Sequence, residues 1–123
     1  MTATQIILAE DEPQLRLLIA EMLAANDLHA LPAEDGVAAL QLIKDNPGAS
    51  LLLSDVRMPR MNGHELAVEA LAVRPELKIL MMTAYAEEMP PPAALRAREI
   101  RTLAKPVDLD RLYDLISEML ARP

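Results

Sequence analysis

The sequence predicts a single-domain, doubly wound α/β protein, in which five parallel strands alternate with five helices. Three observations support this fold class. The chain has 123 residues, which is the length of one domain. Hydrophobic residues make up 52% of it, enough to build a core and too many for a disordered chain. Short aliphatic runs alternate with segments of helical periodicity, an order that produces a parallel sheet with helices on both faces.

Five short aliphatic runs are predicted to be the strands. Most of them lack the polar alternation of a half-exposed strand, which indicates burial on both faces. The last run is more polar than the others, so we expect it at an edge of the sheet. The runs lie at residues 5–9, 28–31, 51–54, 77–82 and 100–104.

Start and stop signals position the first three helices. Pro13 suits a first helical turn. The apolar residues that then repeat at helical spacing, as far as Asn26, are Leu15, Leu18, Ile19, Met22 and Leu23. Asp35 is predicted to cap the second helix, which ends at Asn46–Gly48. The third helix runs through residues 66–73.

The fourth helix is predicted to be unusually short. Pro90–Pro92 cannot lie inside a helix, because each proline lacks an N–H donor and clashes with the preceding turn. Any helix here is therefore confined to residues 93–98. Asp108 is predicted to cap the fifth helix. Its apolar face consists of Leu109, Leu112, Tyr113, Ile116, Met119 and Leu120.

The composition excludes several classes of protein. The absence of cysteine rules out a disulfide scaffold, a thiolate zinc site and a cysteine nucleophile. The net charge of −7, with scattered basic residues, argues against direct binding of nucleic acid or of an anionic membrane surface. No apolar run approaches the ~20 residues of a membrane span, and the N-terminus lacks the basic region of a secretory signal. We therefore expect a cytoplasmic protein.

Polar residues directly follow four of the five predicted strands. Glu10 and Asp11 follow the first strand, Asp55 the third, Thr83 the fourth and Lys105 the fifth. Because ligands of such sheets bind beyond the carboxyl ends of the strands, we expect these five side chains to converge on one site.

Three carboxylates and one ammonium leave this predicted cluster with an excess of negative charge. Either a hard cation or raised carboxylate pKa values would relieve the repulsion. Oxygen ligands favour Mg²⁺ or Mn²⁺ over zinc or copper, and magnesium commonly pairs with phosphoryl oxygens. A site that handles phosphate is therefore predicted, in which Lys105 and Thr83 contact phosphoryl oxygens. An aspartate placed like Asp55 can act as a nucleophile and form an aspartyl phosphate.

Five segments of the chain resemble the receiver domains of bacterial response regulators, the CheY-like family. They are ILAEDEPQLR, AEDGVAAL, LLLSDVRMPRMNGHEL, ILMMTAY and LAKPV. The resemblance implies a flavodoxin-like, CheY-like sheet with strand order 2-1-3-4-5 and identifies residues 1–123 as one receiver domain. It also implies that the Lys105–Pro106 peptide bond is cis.

The same resemblance implies a role for each polar residue of the cluster. Asp55 would accept the phosphoryl group, Lys105 would pair with that group and Thr83 would act as a switch hydroxyl. Asp11 would bind the metal ion directly, and Glu10 would hold it through water. The full set implied for Mg²⁺ or Mn²⁺ is Glu10, Asp11, Asp55 and the backbone carbonyl of Arg57.

The chain departs from the family pattern at four places. Thr102 stands where the family has Tyr or Phe, Ala97–Glu99 replaces a Gly-Ala pair, and Val107 stands where Phe is common. Pro90–Pro92 interrupts the fourth helix. All of these except Val107 fall on the family's signalling face, so we expect an altered readout. The short fourth helix resembles that of the single-domain CpdR-like regulators, which act on proteolysis in alphaproteobacteria.

The readout is predicted to use the segment after the fourth strand. We hypothesise that phosphorylation orders or shifts Ala84–Arg98, with Tyr85 taking part of the role of the missing aromatic. Other residues receive plainer interpretations. Met58 and Met61 are expected either to pack in the loop beside Asp55 or to contact a partner. His29 and His64 are expected to be surface or partly packed residues.

The resemblance implies a stand-alone two-component response regulator rather than an enzyme. It would accept a phosphoryl group on Asp55 from a histidine kinase or a histidine phosphotransfer protein and would signal by binding a downstream protein. The alternative is an adaptor of the same fold that does not use phosphorylation. A flavodoxin-like FMN site is disfavoured, because the acidic loop Glu10–Glu12 would repel the FMN phosphate.

Overall fold

The computed structural model describes residues 3–84, 91–96, 98 and 100–121. Within them, strands and helices alternate along the chain. The strands are β1 (Thr4–Ala9), β2 (Leu28–Ala33), β3 (Leu51–Asp55), β4 (Lys78–Thr83) and β5 (Arg101–Ala104). The helices are α1 (Pro13–Ala25), α2 (Gly36–Asp45), α3 (Gly63–Val73), α4 (Ala93–Arg96) and α5 (Leu109–Ala121).

The sheet has the strand order β2-β1-β3-β4-β5, and every neighbouring pair is parallel. The predicted fold class and strand order are therefore confirmed. The more polar strand β5 lies at one edge, as its sequence predicted, and β2 lies at the other.

The continuous apolar runs result from burial on both sides of the sheet. Leu52 faces a core layer that contains Ile43 of α2 and Leu66 of α3. Its neighbour Leu53 faces the opposite layer, which contains Ile116 of α5. Each central strand thus contributes alternate residues to two cores, which removes the polar alternation of a half-exposed strand.

The helix caps follow the sequence signals. The Asp35 carboxylate accepts a hydrogen bond of 2.8 Å from the Ala38 N–H at the start of α2. The Asp108 carboxylate accepts hydrogen bonds from the N–H groups of Asp110 and Arg111, at 3.0 and 3.3 Å. Pro13 occupies the first turn of α1. Asp35 and Asp108 therefore satisfy N–H groups that would otherwise lack a helical partner.

The predicted bounds of β1, β3, β4 and β5 differ from the observed ones by one residue. Two further details are wrong. Strand β2 continues through Pro32 to Ala33, beyond the predicted end at residue 31. This is tolerated because β2 is an edge strand and a proline there need not donate to a neighbour. Leu18 was expected on the buried stripe of α1 but is 49% exposed, since that stripe is centred on Ile19 and Leu23.

Helix α4 is short, as the three prolines before it predicted, but its 4 residues form a single turn instead of the expected length of about two turns. Leu95 anchors this turn, because its side chain is buried in the core layer on the α3 side. Of the helices in the described part of the chain, none combines the length and the hydrophobicity that a membrane span requires.

Candidate functional site

The carboxyl ends of β1, β3 and β5 bring three charged side chains into direct contact. The Lys105 ammonium lies 2.9 Å from Glu10 Oε1 and 2.7 Å from Asp55 Oδ2. Lys105 is held by its own backbone as well, since its N–H donates to the Thr83 carbonyl at 2.8 Å. The Lys105–Pro106 bond is cis, as the resemblance implied. The structure therefore brings the side chains of Glu10, Asp55 and Lys105 together, as predicted, and places the backbone of Thr83 beside them.

Asp11 completes a compact group of carboxylates. Oxygen atoms of Glu10, Asp11 and Asp55 all lie within 4.8 Å of one another. Glu10 and Asp55 are buried, whereas Asp11 is exposed at the rim. This all-oxygen set fits Mg²⁺ or Mn²⁺ better than a metal that prefers nitrogen or sulfur ligands.

Arg57 is the remaining residue of the predicted set. Its backbone N–H donates to Asp55 Oδ1 at 3.3 Å, so the peptide of Arg57 lies beside the candidate phosphoacceptor. The side chain of Arg57 is exposed. All six predicted site residues thus lie at the carboxyl end of the sheet.

The loop after β3 is pressed tightly against Asp55. Gly63 N–H donates to the Val56 carbonyl at 2.7 Å, which closes the loop on itself. A Cβ atom on Gly63 would collide with the Asp55 carbonyl oxygen, so only glycine fits without movement of the strand end. Asn62 and Glu65 form a capping box that starts α3 directly after the loop.

Glu10 has an unusual environment for a carboxylate. It is completely buried, its Oε1 accepts from Lys105, and its Oε2 accepts from the Glu12 N–H at 3.0 Å. Burial raises its pKa from the ordinary 4.5 to about 7. The bonds from Glu12 and Lys105 oppose this shift, and the nearby charge of Asp55 adds to it. The Glu10 carboxyl therefore exchanges its proton near neutral pH.

For Lys105, hydrogen bonds rather than burial determine the direction of the pKa shift. Burial alone would lower its pKa, but the hydrogen bonds to Asp55 and Glu10 outweigh that effect and raise the pKa above the ordinary 10.5. The ammonium consequently stays charged throughout the physiological range. It can offset the charge of only one of its two carboxylate partners at a time.

The buried Glu10 predicts an unusual pH dependence for the metal-free protein. Between about pH 4.5 and about pH 7 the native state keeps a proton that the unfolded state has lost, so stability falls as pH rises. Glu10→Gln removes this titration. We expect the free energy of unfolding of wild type to fall, relative to this variant, by on the order of 2 kcal/mol across that window. Urea unfolding in a chelator at several pH values measures the difference. Parallel pH profiles would contradict the assignment.

A residue that sequence reasoning missed also supports the site. Arg16 Nη1 donates to the backbone carbonyl of Glu10 at 2.8 Å, so α1 holds the turn that carries Glu10 and Asp11. The only sequence signal was an arginine one turn into the helix that follows the acidic loop. A helical arginine at such a position is too common to be singled out.

A cavity of about 320 Å³ lies beside Thr83. Its lining includes His64, Leu95 and Thr102, the small residue at the position where the family has an aromatic. His64 is buried, deeper than the surface or partly packed position expected for it, and burial lowers its pKa. His29 is exposed, as expected. Met58 and Met61 pack against the adjacent core layer, as predicted.

The predicted readout segment is described only in part. Tyr85 and residues 86–90, 97 and 99 lie outside the described residues, so its proposed ordering stays a prediction.

A family model for the response regulator receiver domain matches residues 6–117. The chain is 34% identical over 116 residues to the response regulator receiver protein CpdR of Brucella abortus, a match that covers 94% of this chain and 96% of that protein. It is 30% identical over 115 residues to the transcriptional regulatory protein GlrR of Escherichia coli. That match covers 94% of this chain and 26% of the regulator, so the chain spans about a quarter of that relative.

A solved structure supports the same relationship. The response regulator protein TrrA from Thermotoga maritima, in complex with Mg²⁺-BeF, matches with a TM-score of 0.80 and 25% sequence identity. The match covers 94% of this chain and 98% of that one.

Proposed function

Because this chain belongs to the response regulator receiver family, we propose that it is a signalling domain phosphorylated on Asp55. The donor is the phosphohistidine of a histidine kinase or of a histidine phosphotransfer protein. The output is altered binding of a downstream protein. The observation that carries this proposal is the contact of one ammonium, on Lys105, with both Asp55 and Glu10 at the carboxyl edge of the sheet.

The transfer step needs little chemistry from the protein beyond charge and position. A carboxylate oxygen of Asp55 forms a bond to phosphorus while the bond from phosphorus to the donor imidazole nitrogen breaks, and the electron pair returns to that nitrogen. Lys105, 2.7 Å from Asp55, supplies positive charge where the phosphoryl oxygens arrive. The Arg57 N–H orients the Asp55 carboxylate from the other side.

Mg²⁺ or Mn²⁺ is the cofactor that fits this carboxylate group. Asp11 and Asp55 would hold it directly, Glu10 through water, and the Arg57 carbonyl would complete the protein ligands. When bound, the ion supplies positive charge that offsets the carboxylates and the incoming phosphoryl group. Without that charge, the repulsion between the acids is opposed by Lys105, which contacts both Glu10 and Asp55.

Thr83 is proposed to connect phosphorylation to binding. It ends β4 and lines the cavity that reaches Leu95 of α4. A movement of its hydroxyl toward the phosphoryl group would therefore change the shape of the cavity next to α4. Thr102 is exposed and too small to report this movement as an aromatic would. We therefore place the readout in the segment around α4.

Mass spectrometry after incubation with acetyl phosphate tests the proposal. We expect the mass of one phosphoryl group to be added in the presence of Mg²⁺ and none in the presence of a chelator. Reduction of the acyl phosphate with borohydride should convert Asp55 alone to homoserine. Absence of labelling, or a homoserine elsewhere, would contradict the proposal. An unlabelled protein that still bound its target would instead favour the phosphorylation-independent adaptor.

Replacing Asp11 by asparagine is expected to raise the stability of the metal-free protein and to abolish the stabilisation by Mg²⁺. Loss of one charge from the cluster should raise the stability of the metal-free protein slightly, by on the order of 1 kcal/mol or less. The same change should remove the increase in melting temperature that Mg²⁺ produces by binding only the native state. Thermal melts with and without Mg²⁺ measure both effects. Glu12→Gln is the matched control, because it removes a charge from the same loop but not from the carboxylate group. If Mg²⁺ stabilises D11N as strongly as wild type, the metal site is misplaced.

A further inference from the structure

The loop between β3 and α3 contains a strained residue. Arg60 has a φ of 68°, in the left-handed region that residues with a side chain seldom adopt. The Met61 N–H donates to the Pro59 carbonyl at 2.8 Å, two residues back, so Arg60 is the centre of a γ-turn. Such a turn persists only where its surroundings hold it in place.

The side chain of Arg60 forms an ion pair with Asp35. Arg60 Nε lies 3.2 Å from Asp35 Oδ2, while the other oxygen of Asp35 accepts from the Ala38 N–H. Asp35 is almost fully buried, whereas most of the Arg60 side chain is exposed. Both carboxylate oxygens of Asp35 are thus engaged, one with the first turn of α2 and one with the γ-turn.

A second contact joins the same two segments. Gly36, the first residue of α2, lies so close to Met61 that a Cβ atom there would be 2.5 Å from the Met61 carbonyl oxygen and 2.8 Å from its Cβ. The start of α2 therefore touches the loop through two successive residues on each side. Since α2 is packed on the sheet, it is a rigid support for a loop that would otherwise be free to unwind.

The supported loop leads directly to the candidate phosphoacceptor. Arg57, near its start, donates its N–H to Asp55, and Gly63 closes the loop by donating to Val56. If the γ-turn at Arg60 opened, the chain between these two bonds would gain freedom. The Arg57 peptide would then be less well placed for Asp55.

We propose that Asp35 and Arg60 are positioning residues, whose ion pair holds the γ-turn and so keeps the Arg57 peptide against Asp55 for phosphorylation. This inference rests on the proposed function of Asp55. Neither residue touches the phosphoryl group. They act through the loop, which makes the start of α2 a structural determinant of the rate of labelling.

Two substitutions of Arg60 separate position from charge. Arg60→Gln and Arg60→Gly both remove the positive charge and the ion pair, but only glycine adopts the left-handed turn without strain. At saturating Mg²⁺ and acetyl phosphate, R60Q is expected to be labelled about fivefold more slowly than wild type, the factor that corresponds to the upper range for exposed ion pairs. R60G is expected to recover most of the wild-type rate. Equal slowing of R60G and R60Q would show that only the charge matters and would overturn the proposal.

Substitution of Asp35 tests the same ion pair from its other side. Asp35→Asn keeps an oxygen for the Ala38 N–H but loses the carboxylate that pairs with Arg60, so α2 should stay capped. It should slow labelling by the same factor as R60Q, and the double variant D35N/R60Q should be no slower than either single variant. Additive effects of the two substitutions would contradict a shared link.

A measurement without any phosphoryl donor distinguishes the inference from the proposed function. Hydrogen exchange of the Gly63 amide, which closes the loop, should be faster in R60Q than in wild type and close to wild type in R60G. If wild type is not labelled at all, the proposed function fails, and this order of exchange rates still tests the role of the ion pair in the loop. Unchanged exchange and unchanged labelling in R60Q would overturn the inference.

Discussion

Replacing Asp55 with asparagine is expected to reduce phosphoryl incorporation from acetyl phosphate to the background level while the fold is retained. An amide is far too weak a nucleophile to attack phosphorus, so the carbon–oxygen–phosphorus linkage cannot form. The fold should survive, because Lys105 keeps its hydrogen bond of 2.9 Å to Glu10 when the charge of Asp55 is removed. The change therefore separates chemistry from folding.

Intact-protein mass spectrometry and circular dichroism check the two halves of this prediction. Asp114→Asn is a matched control, since Asp114 is an exposed aspartate on α5, away from the strand ends that carry the cluster. D114N should be labelled like wild type. Labelling of D55N at the wild-type level would place the acceptor elsewhere, and loss of helical signal in D55N would show that Asp55 is needed for folding.

Replacing Lys105 with methionine is expected to destabilise the protein by about 3 kcal/mol at mildly alkaline pH. Methionine preserves much of the length and apolar volume of the lysine, but Glu10 and Asp55 lose their shared counter-ion. Removing one member of a buried ion pair leaves the other charges uncompensated, which costs more than the pair itself contributes. The loss should shrink toward acidic pH, because the raised pKa of Glu10, about 7, lets it become neutral.

Urea unfolding of K105M at two pH values, in the absence of divalent metal, measures this effect. Lys44→Met controls for the loss of an arbitrary surface lysine, since Lys44 is exposed in the last turn of α2. K44M should change the free energy of unfolding by less than about 0.5 kcal/mol. A K105M protein as stable as wild type at alkaline pH would mean that the cluster does not need the ammonium to fold.

The strand ends are the part of this molecule that the sequence predicts best. A run such as residues 51–54 has no polar alternation, so its buried character can be read locally, and its end can be read to within one residue of Asp55. Once a parallel sheet is inferred, with the strand order that the resemblance implies, Glu10, Asp55 and Lys105 are expected at its carboxyl end. The contacts of 2.7 and 2.9 Å made by Lys105 follow from that shared edge.

Contacts between distant loops could not be predicted in the same way. The ion pair between Asp35 and Arg60 depends on the left-handed turn at Arg60. That position is occupied by neither glycine nor asparagine, so the residue type does not predict the turn. The hydrogen bond from Arg16 to the Glu10 carbonyl likewise depends on how α1 leaves the sheet. Leu18 was predicted to be buried and is exposed, because helical spacing alone does not define how wide the buried stripe of a helix is.

The proline in β2 has a consequence for how this protein behaves in a crowded solution. Ala33 accepts a hydrogen bond from Glu10 on the inner side of the strand, so Pro32 faces outward along the free edge. An incoming strand would find no N–H donor there, and the opposite edge strand, β5, is only 4 residues long. Both edges are thus poor templates for adding a foreign strand, which is how natural sheets avoid aggregation. The loops and helices, rather than the sheet edges, are therefore the surfaces that this fold offers for contacts with other proteins.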